Sequence, residues 1–163
     1  MNKNKSNELA INEDLILVNE DIKSRDQIIK KLGGLLYEHG YVKDTYTQAV
    51  LDREKAYPTG LKARITGVSV PHTDTEHVIK PAVAIATLKN PVIFHGMGAP
   101  KTEVSVYIVM MLAIHDPKLV VDILRKVIMV IEKDEVLRKI LVASNSLEIK
   151  KIMQEHISAV TQK

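Results

Sequence analysis

The run from Val104 to Leu112 is apolar on both alternating faces for much of its length. A strand with hydrophobic side chains above and below its plane must be covered on each side, so it belongs near the centre of a sheet packed between helices. Thr66–Val70, Ala82–Leu88 and Pro91–Phe94 are further β-branched or apolar runs, separated by Pro, Gly, Asn and Asp, and Asp14–Val18 reads as a short strand near the start.

Helical spacing governs the rest. Ser24 is placed to cap a helix, with Gln27 three residues on, and Ile28, Ile29, Leu32, Leu35 and Leu36 follow until Gly40 offers a stop. Asp44 is placed to cap a second helix, whose apolar face carries Tyr46, Ala49, Val50 and Ala56 before the turn Pro58-Thr59-Gly60. After Asp116-Pro117, apolar residues from Leu119 to Ile131 recur at three and four residues, and shorter helices are predicted over Asp134–Val142 and Ser146–Ile157. The pattern predicts an α/β fold: one mixed sheet of about four to five strands with helices on both faces. A length of 163 residues fits one domain over 1–163, with residues 1–10 as a frayed extension.

Composition narrows the function. Twenty-three Lys plus Arg against twenty Asp plus Glu are interspersed, and with five Tyr, one Phe and no Trp there is little to stack on bases. A nucleic-acid partner is disfavoured. The absence of cysteine removes disulfides and thiolate chemistry and suits a reducing, cytoplasmic setting. No apolar stretch approaches the roughly 20 residues a bilayer crossing needs, so the chain is not expected to be membrane-embedded.

The chemistry converges on one histidine. In Val68-Ser69-Val70-Pro71-His72-Thr73 a proline stops the strand and His72 stands just beyond it, where a rigid element aims a side chain into the crevice outside a sheet. A solvated loop histidine is the plainer reading. Arg53 falls seven residues after Tyr46 and three after Val50, on the stripe of its helix that should face inward. A guanidinium there serves as a phosphate clamp, pairs with a carboxylate, or bends out to water. His115 ends the central strand and would emerge beside His72 if the two strands run parallel; His95 ends a strand that fits the opposite direction. His39 suits a helix C-terminus, and His77 and His156 the surface. His72, Asp74, Glu76 and His77 lie close together, yet their spacing lacks the pattern of a helical zinc site. Phosphate-binding loops, dinucleotide fingerprints and serine elbows are absent.

These residues resemble a known family. Gly67-Val68-Ser69-Val70-Pro71-His72-Thr73 is similar to the phosphoacceptor signature of the type 2 enzyme IIA domains of the sugar phosphotransferase system, the fructose/mannitol superfamily, and Arg53-Glu54 to their upstream Arg-Glu pair. Pro91–Phe94 with Met97-Gly98, and the strand ending Met111-Leu112-Ala113, fit the same pattern, while Tyr57-Pro58-Thr59-Gly60-Leu61 is similar to the galactitol branch. The resemblance spans roughly Leu15 to Met153. It implies a phosphotransferase component: His72 accepts a phosphoryl group from the phosphocarrier HPr and passes it to a IIB partner, which serves a membrane IIC permease for galactitol or a related sugar. Arg53 would neutralise the phosphoryl oxygens, Thr73 would donate its hydroxyl or backbone N–H, and His115 a further hydrogen bond, with no metal, nucleotide or other cofactor. Mannitol-type members carry a second histidine slightly later than His115, nearer Lys118 or Leu119, so either His115 or Lys118 takes that role here. Docking two partners in turn calls for a shallow apolar rim, for which Met97, Met110 and Met111 are candidates, the last two fitting the core better than the rim. A regulatory IIA-like protein with the same phosphohistidine, and a binding domain without catalysis, are the alternatives.

Overall fold

The structure, a computed structural model, describes residues 8–161, with side chains described as far as residue 157. Five strands and five helices follow one another as β1 (Ile16–Glu20), α1 (Arg25–Glu38), α2 (Tyr46–Ala56), β2 (Gly60–Lys62), β3 (Gly67–Ser69), β4 (Ala82–Gly96), β5 (Ala99–Ala113), α3 (Val120–Ile131), α4 (Asp134–Val142) and α5 (Ser146–Thr161). The sheet is mixed, as the sequence predicts. β1 runs parallel to β4, β4 antiparallel to β5, β5 parallel to β3, and β3 antiparallel to β2. β2 then meets the far end of β4, Gly60 beside Gly96, closing a circuit of pairings.

The doubly apolar strand is central because it carries side chains into two cores. Val109, Met111 and Ala113 of β5 face α1 and α2 beside Ile28, Leu32, Tyr46 and Val50, while Ile108, Met110 and Leu112 face α3–α5 beside Val127, Leu137 and Met153. Burying each such aliphatic side chain contributes about 1.5–3 kcal/mol. Met110 and Met111 are therefore core residues, whereas Met97 stands partly exposed in the β4–β5 turn.

Local signals place most helix ends. Ser24 accepts from the Gln27 N–H at 3.1 Å, and the Gln27 side chain accepts from Lys23 N–H. Gly40, at φ 79, terminates α1 in the left-handed region that favours glycine. Asp116 accepts from the Lys118 N–H and caps a 3-10 turn, Pro117–Leu119, that leads into α3.

Four expectations need correction. The runs Ala82–Leu88 and Pro91–Phe94 are one strand, because β4 bulges between Thr87 and Val92 and a bulge tolerates a proline without a ladder N–H. β2 was not expected; three residues are too short to show a period. Thr45, not Asp44, is the residue before α2, and its side chain makes no capping bond. Ala56 is exposed, so the buried stripe of α2 is Tyr46, Val50 and Glu54 at intervals of four. Residues 1–7 of the expected fray lie outside the described residues, while Ala10 donates to the Pro81 carbonyl and accepts from Val83 N–H.

Candidate active site

Three connections aim His72. The Val70 N–H donates to the Thr59 carbonyl at 3.3 Å, and the Leu112 N–H donates to the Pro71 carbonyl at 2.9 Å, so the turn leading into β2 on one side and β5 on the other grip the chain up to the residue before the histidine. Pro71 has no N–H to extend the ladder, and the strand stops. Gly67, which opens β3, lies so close to β5 that a Cβ would collide with the Ser105 carbonyl oxygen. The third connection is to the ring: His72 Nδ1 lies 2.8 Å from the Val70 carbonyl. A carbonyl only accepts, so Nδ1 carries the proton and the lone pair of the neutral imidazole is on Nε2.

Burial lowers the pKa of His72, and the positive charge of Arg53 acts in the same direction; the Val70 hydrogen bond and Asp74 oppose them without reversing the shift. The ring therefore stays neutral, and nucleophilic at Nε2, further into acid than an ordinary histidine.

His72 lines a depression of about 280 Å³ with Arg53, Thr73, Asp74, Thr75, Pro117 and Val120. That volume lies below the roughly 300–1,000 Å³ of small-molecule sites and suits a single small anion. Arg53 reaches it from α2. Its guanidinium lies 5.4 Å from the Tyr57 ring centre, with Nη1 3.5 Å from Asp74 Oδ1. Its Nε is buried and has no hydrogen-bond partner among the described residues. A buried donor left open costs about 1–3 kcal/mol, a penalty that an incoming oxyanion would remove.

Two residues hold this arrangement from behind. Glu54 is buried and accepts from both the Thr59 N–H (2.8 Å) and the Thr59 hydroxyl (2.8 and 3.1 Å), fixing the turn whose carbonyl receives the Val70 N–H. Burial raises the Glu54 pKa, against the hydrogen bonds from Thr59 and the charge of Arg25, which lower it. Tyr46, buried at the start of α2, donates its hydroxyl to the Leu112 carbonyl. Sequence reasoning assigned neither role; the buried i, i+4, i+8 stripe of Tyr46, Val50 and Glu54 was the available signal.

The structure thus gathers His72, Arg53 and Thr73. β3 and β5 are parallel, so His115 follows its strand at the same edge as His72, with its Nδ1 buried and without a hydrogen-bond partner among the described residues, but Pro117 and Val120 line the depression rather than His115 or the exposed Lys118. His95, whose strand runs the other way, is bound to the Pro100 carbonyl in the β4–β5 hairpin. His77 is tied to the Thr45 hydroxyl at 2.8 Å.

Residues 10–156 match the family described as phosphoenolpyruvate-dependent sugar phosphotransferase system, EIIA 2. The chain belongs to this EIIA type 2 family. Membership carries a phosphoryl-transfer role within sugar phosphotransferase systems. Among curated relatives of the EIIA chain, the mannitol-specific phosphotransferase enzyme IIA component of Staphylococcus aureus is 29% identical over 145 residues, 87% of this chain and 93% of that one. The galactitol-specific EIIA component of Escherichia coli is 27% identical over 101 residues, 62% of this chain and 67% of that one. The transcriptional regulator ManR of Bacillus subtilis is 32% identical over 77 residues, 47% of this chain, which spans 11% of ManR. The fold matches that of the Escherichia coli enzyme IIA for mannitol in its complex with phosphorylated enzyme IIB, with TM-score 0.75 at 20% identity, over 91% of this chain and 99% of that one. Among the described residues, no helix is long and apolar enough to cross a membrane.

Proposed function

We propose that this EIIA chain is a cytoplasmic phosphoryl carrier that accepts phosphate from HPr on Nε2 of His72 and passes it to a cognate IIB, which serves a membrane IIC permease. The observation that carries the reading is the His72 ring: its Nδ1 is held by the Val70 carbonyl, leaving Nε2 as the nucleophile in a depression whose arginine has an open donor. Nε2 attacks the phosphorus of the donor phosphohistidine, the donor P–N bond breaks as the new one forms, and the proton stays on Nδ1, donated to the Val70 carbonyl. Phosphoryl transfer asks for alignment and for neutralisation of the equatorial oxygens. Arg53 supplies the charge and Thr73 a hydroxyl or N–H, both from the lining of the depression, whereas His115 stands at the same sheet edge outside that lining.

The sugar is galactitol or a related one. The Tyr57–Leu61 turn favours the galactitol branch, while the mannitol-specific relative matches over more of the chain. Likeness to ManR favours a second reading, in which phosphorylation of His72 regulates a partner. Incubation with phosphoenolpyruvate, enzyme I and HPr, followed by purified IIB, tests both. The carrier reading expects label on the chain that chases onto IIB; label that never leaves for any sugar-system IIB would favour regulation, and no label would leave only a binding domain.

A further inference from the structure

We infer that Asp74 is a resting-state stand-in for the phosphoryl group, holding Arg53 until phosphate arrives and then giving it up, so that Asp74 sets how readily the chain releases its phosphate. The inference rests on the carrier reading. Asp74 lies two residues beyond His72, lines the same depression, and its Oδ1 is 3.5 Å from Arg53 Nη1. Its side chain is 73% exposed, so water can take over the carboxylate when the arginine lets go. Arg53 has less freedom: its side chain is 37% exposed and its guanidinium lies near the Tyr57 ring.

A phosphoryl group on Nε2 adds about two negative charges to a depression that already contains one carboxylate. Both anions compete for one guanidinium, and like charges at this range repel. The Arg53–Asp74 pair therefore stabilises the empty state, and its loss is charged against the phosphorylated one. A carrier benefits, because a group held too firmly by Arg53 would not be passed on. No bond to Asp74 forms; it changes only the partner of Arg53, and is a positioning residue.

The test uses the whole chain with phosphoenolpyruvate, enzyme I and HPr, reading the phosphorylated fraction at fixed ratios of phosphorylated to free HPr. Asp74→Asn is expected to shift that equilibrium toward the phosphorylated chain by roughly two- to fivefold, the range of partly exposed ion pairs, and to slow transfer onto IIB. Asp74→Glu should restore most of the wild-type equilibrium. In an Arg53→Gln background the shift caused by Asp74→Asn should shrink, since there is no arginine to exchange. Wild-type chain that takes label with an Asp74→Asn equilibrium unchanged, or a shift of full size without Arg53, would overturn this inference alone; a wild-type chain that takes no label would overturn the carrier reading and this inference together.

Discussion

The Tyr46 hydroxyl donates a 2.7 Å hydrogen bond to the Leu112 carbonyl, and the N–H of the same leucine donates to the Pro71 carbonyl. One residue of β5 therefore ties the helix that carries Arg53 to the strand end that carries His72. Both ties lie in the interior, where the bond cannot be exchanged for water. Replacing Tyr46 by Phe keeps the ring in its place and orphans the Leu112 carbonyl. We expect a loss of about 1–2 kcal/mol in urea unfolding, together with slower phosphorylation of His72 as α2 loosens. An unchanged unfolding midpoint would mean that the hydroxyl contributes nothing to this junction.

Glu54 offers a separate handle on the same frame. Glu54→Ala removes the acceptor of both Thr59 donors and leaves a buried N–H unsatisfied, so a destabilisation of about 2–3 kcal/mol is expected by denaturant titration. Glu54→Gln keeps a carbonyl oxygen for the Thr59 N–H and removes a buried charge, and should recover most of that loss. Because burial raises the Glu54 pKa, ionising it opposes folding: its contribution is complete below the ordinary carboxylate range and is lost as pH rises through the raised value. The glutamine variant should consequently gain on the wild type between acid and neutral pH. A constant gap across that range would show that Glu54 titrates as an ordinary carboxylate.

Much of this architecture is legible in the sequence. Val104–Leu112 states that it is covered on both faces, and the periodicity beyond Pro117 and Asp134 places α3 and α4, because these signals are local and the core rewards them directly. The joined strand β4 was not legible, since Lys89–Pro91 is a bulge whose tolerance of proline depends on its partner strand. At the site, His72 is marked by the strand-ending Pro71, and Arg53 by being a cation on an apolar stripe. Asp74 was visible only as a member of a metal-like cluster, because its distance to Arg53 depends on how α2 packs against the loop after β3. The roles of Glu54 and Tyr46 depend likewise on partners five and sixty-six residues away.

The lowered His72 pKa yields a pH prediction whose sign follows from its causes. The folded ring resists protonation more than the unfolded one, so the unfolded chain binds the proton first as pH falls. Stability is unaffected above the unfolded value of about 6.5 and declines below it until the folded ring also titrates. NMR titration of the ring should place its midpoint below that of an ordinary histidine. Arg53→Gln should move it up, since the guanidinium lowers it, and Asp74→Asn should move it down. Shifts in the reverse directions would mean that neither charge acts on the ring as its position implies.

The central claim concerns one atom. Chain labelled with ¹⁵N in its histidine rings and phosphorylated through HPr should show phosphorus–nitrogen coupling at Nε2 of His72, with Nδ1 still protonated and donating to the Val70 carbonyl. Coupling at Nδ1 of that ring, or at any other histidine, would contradict the account.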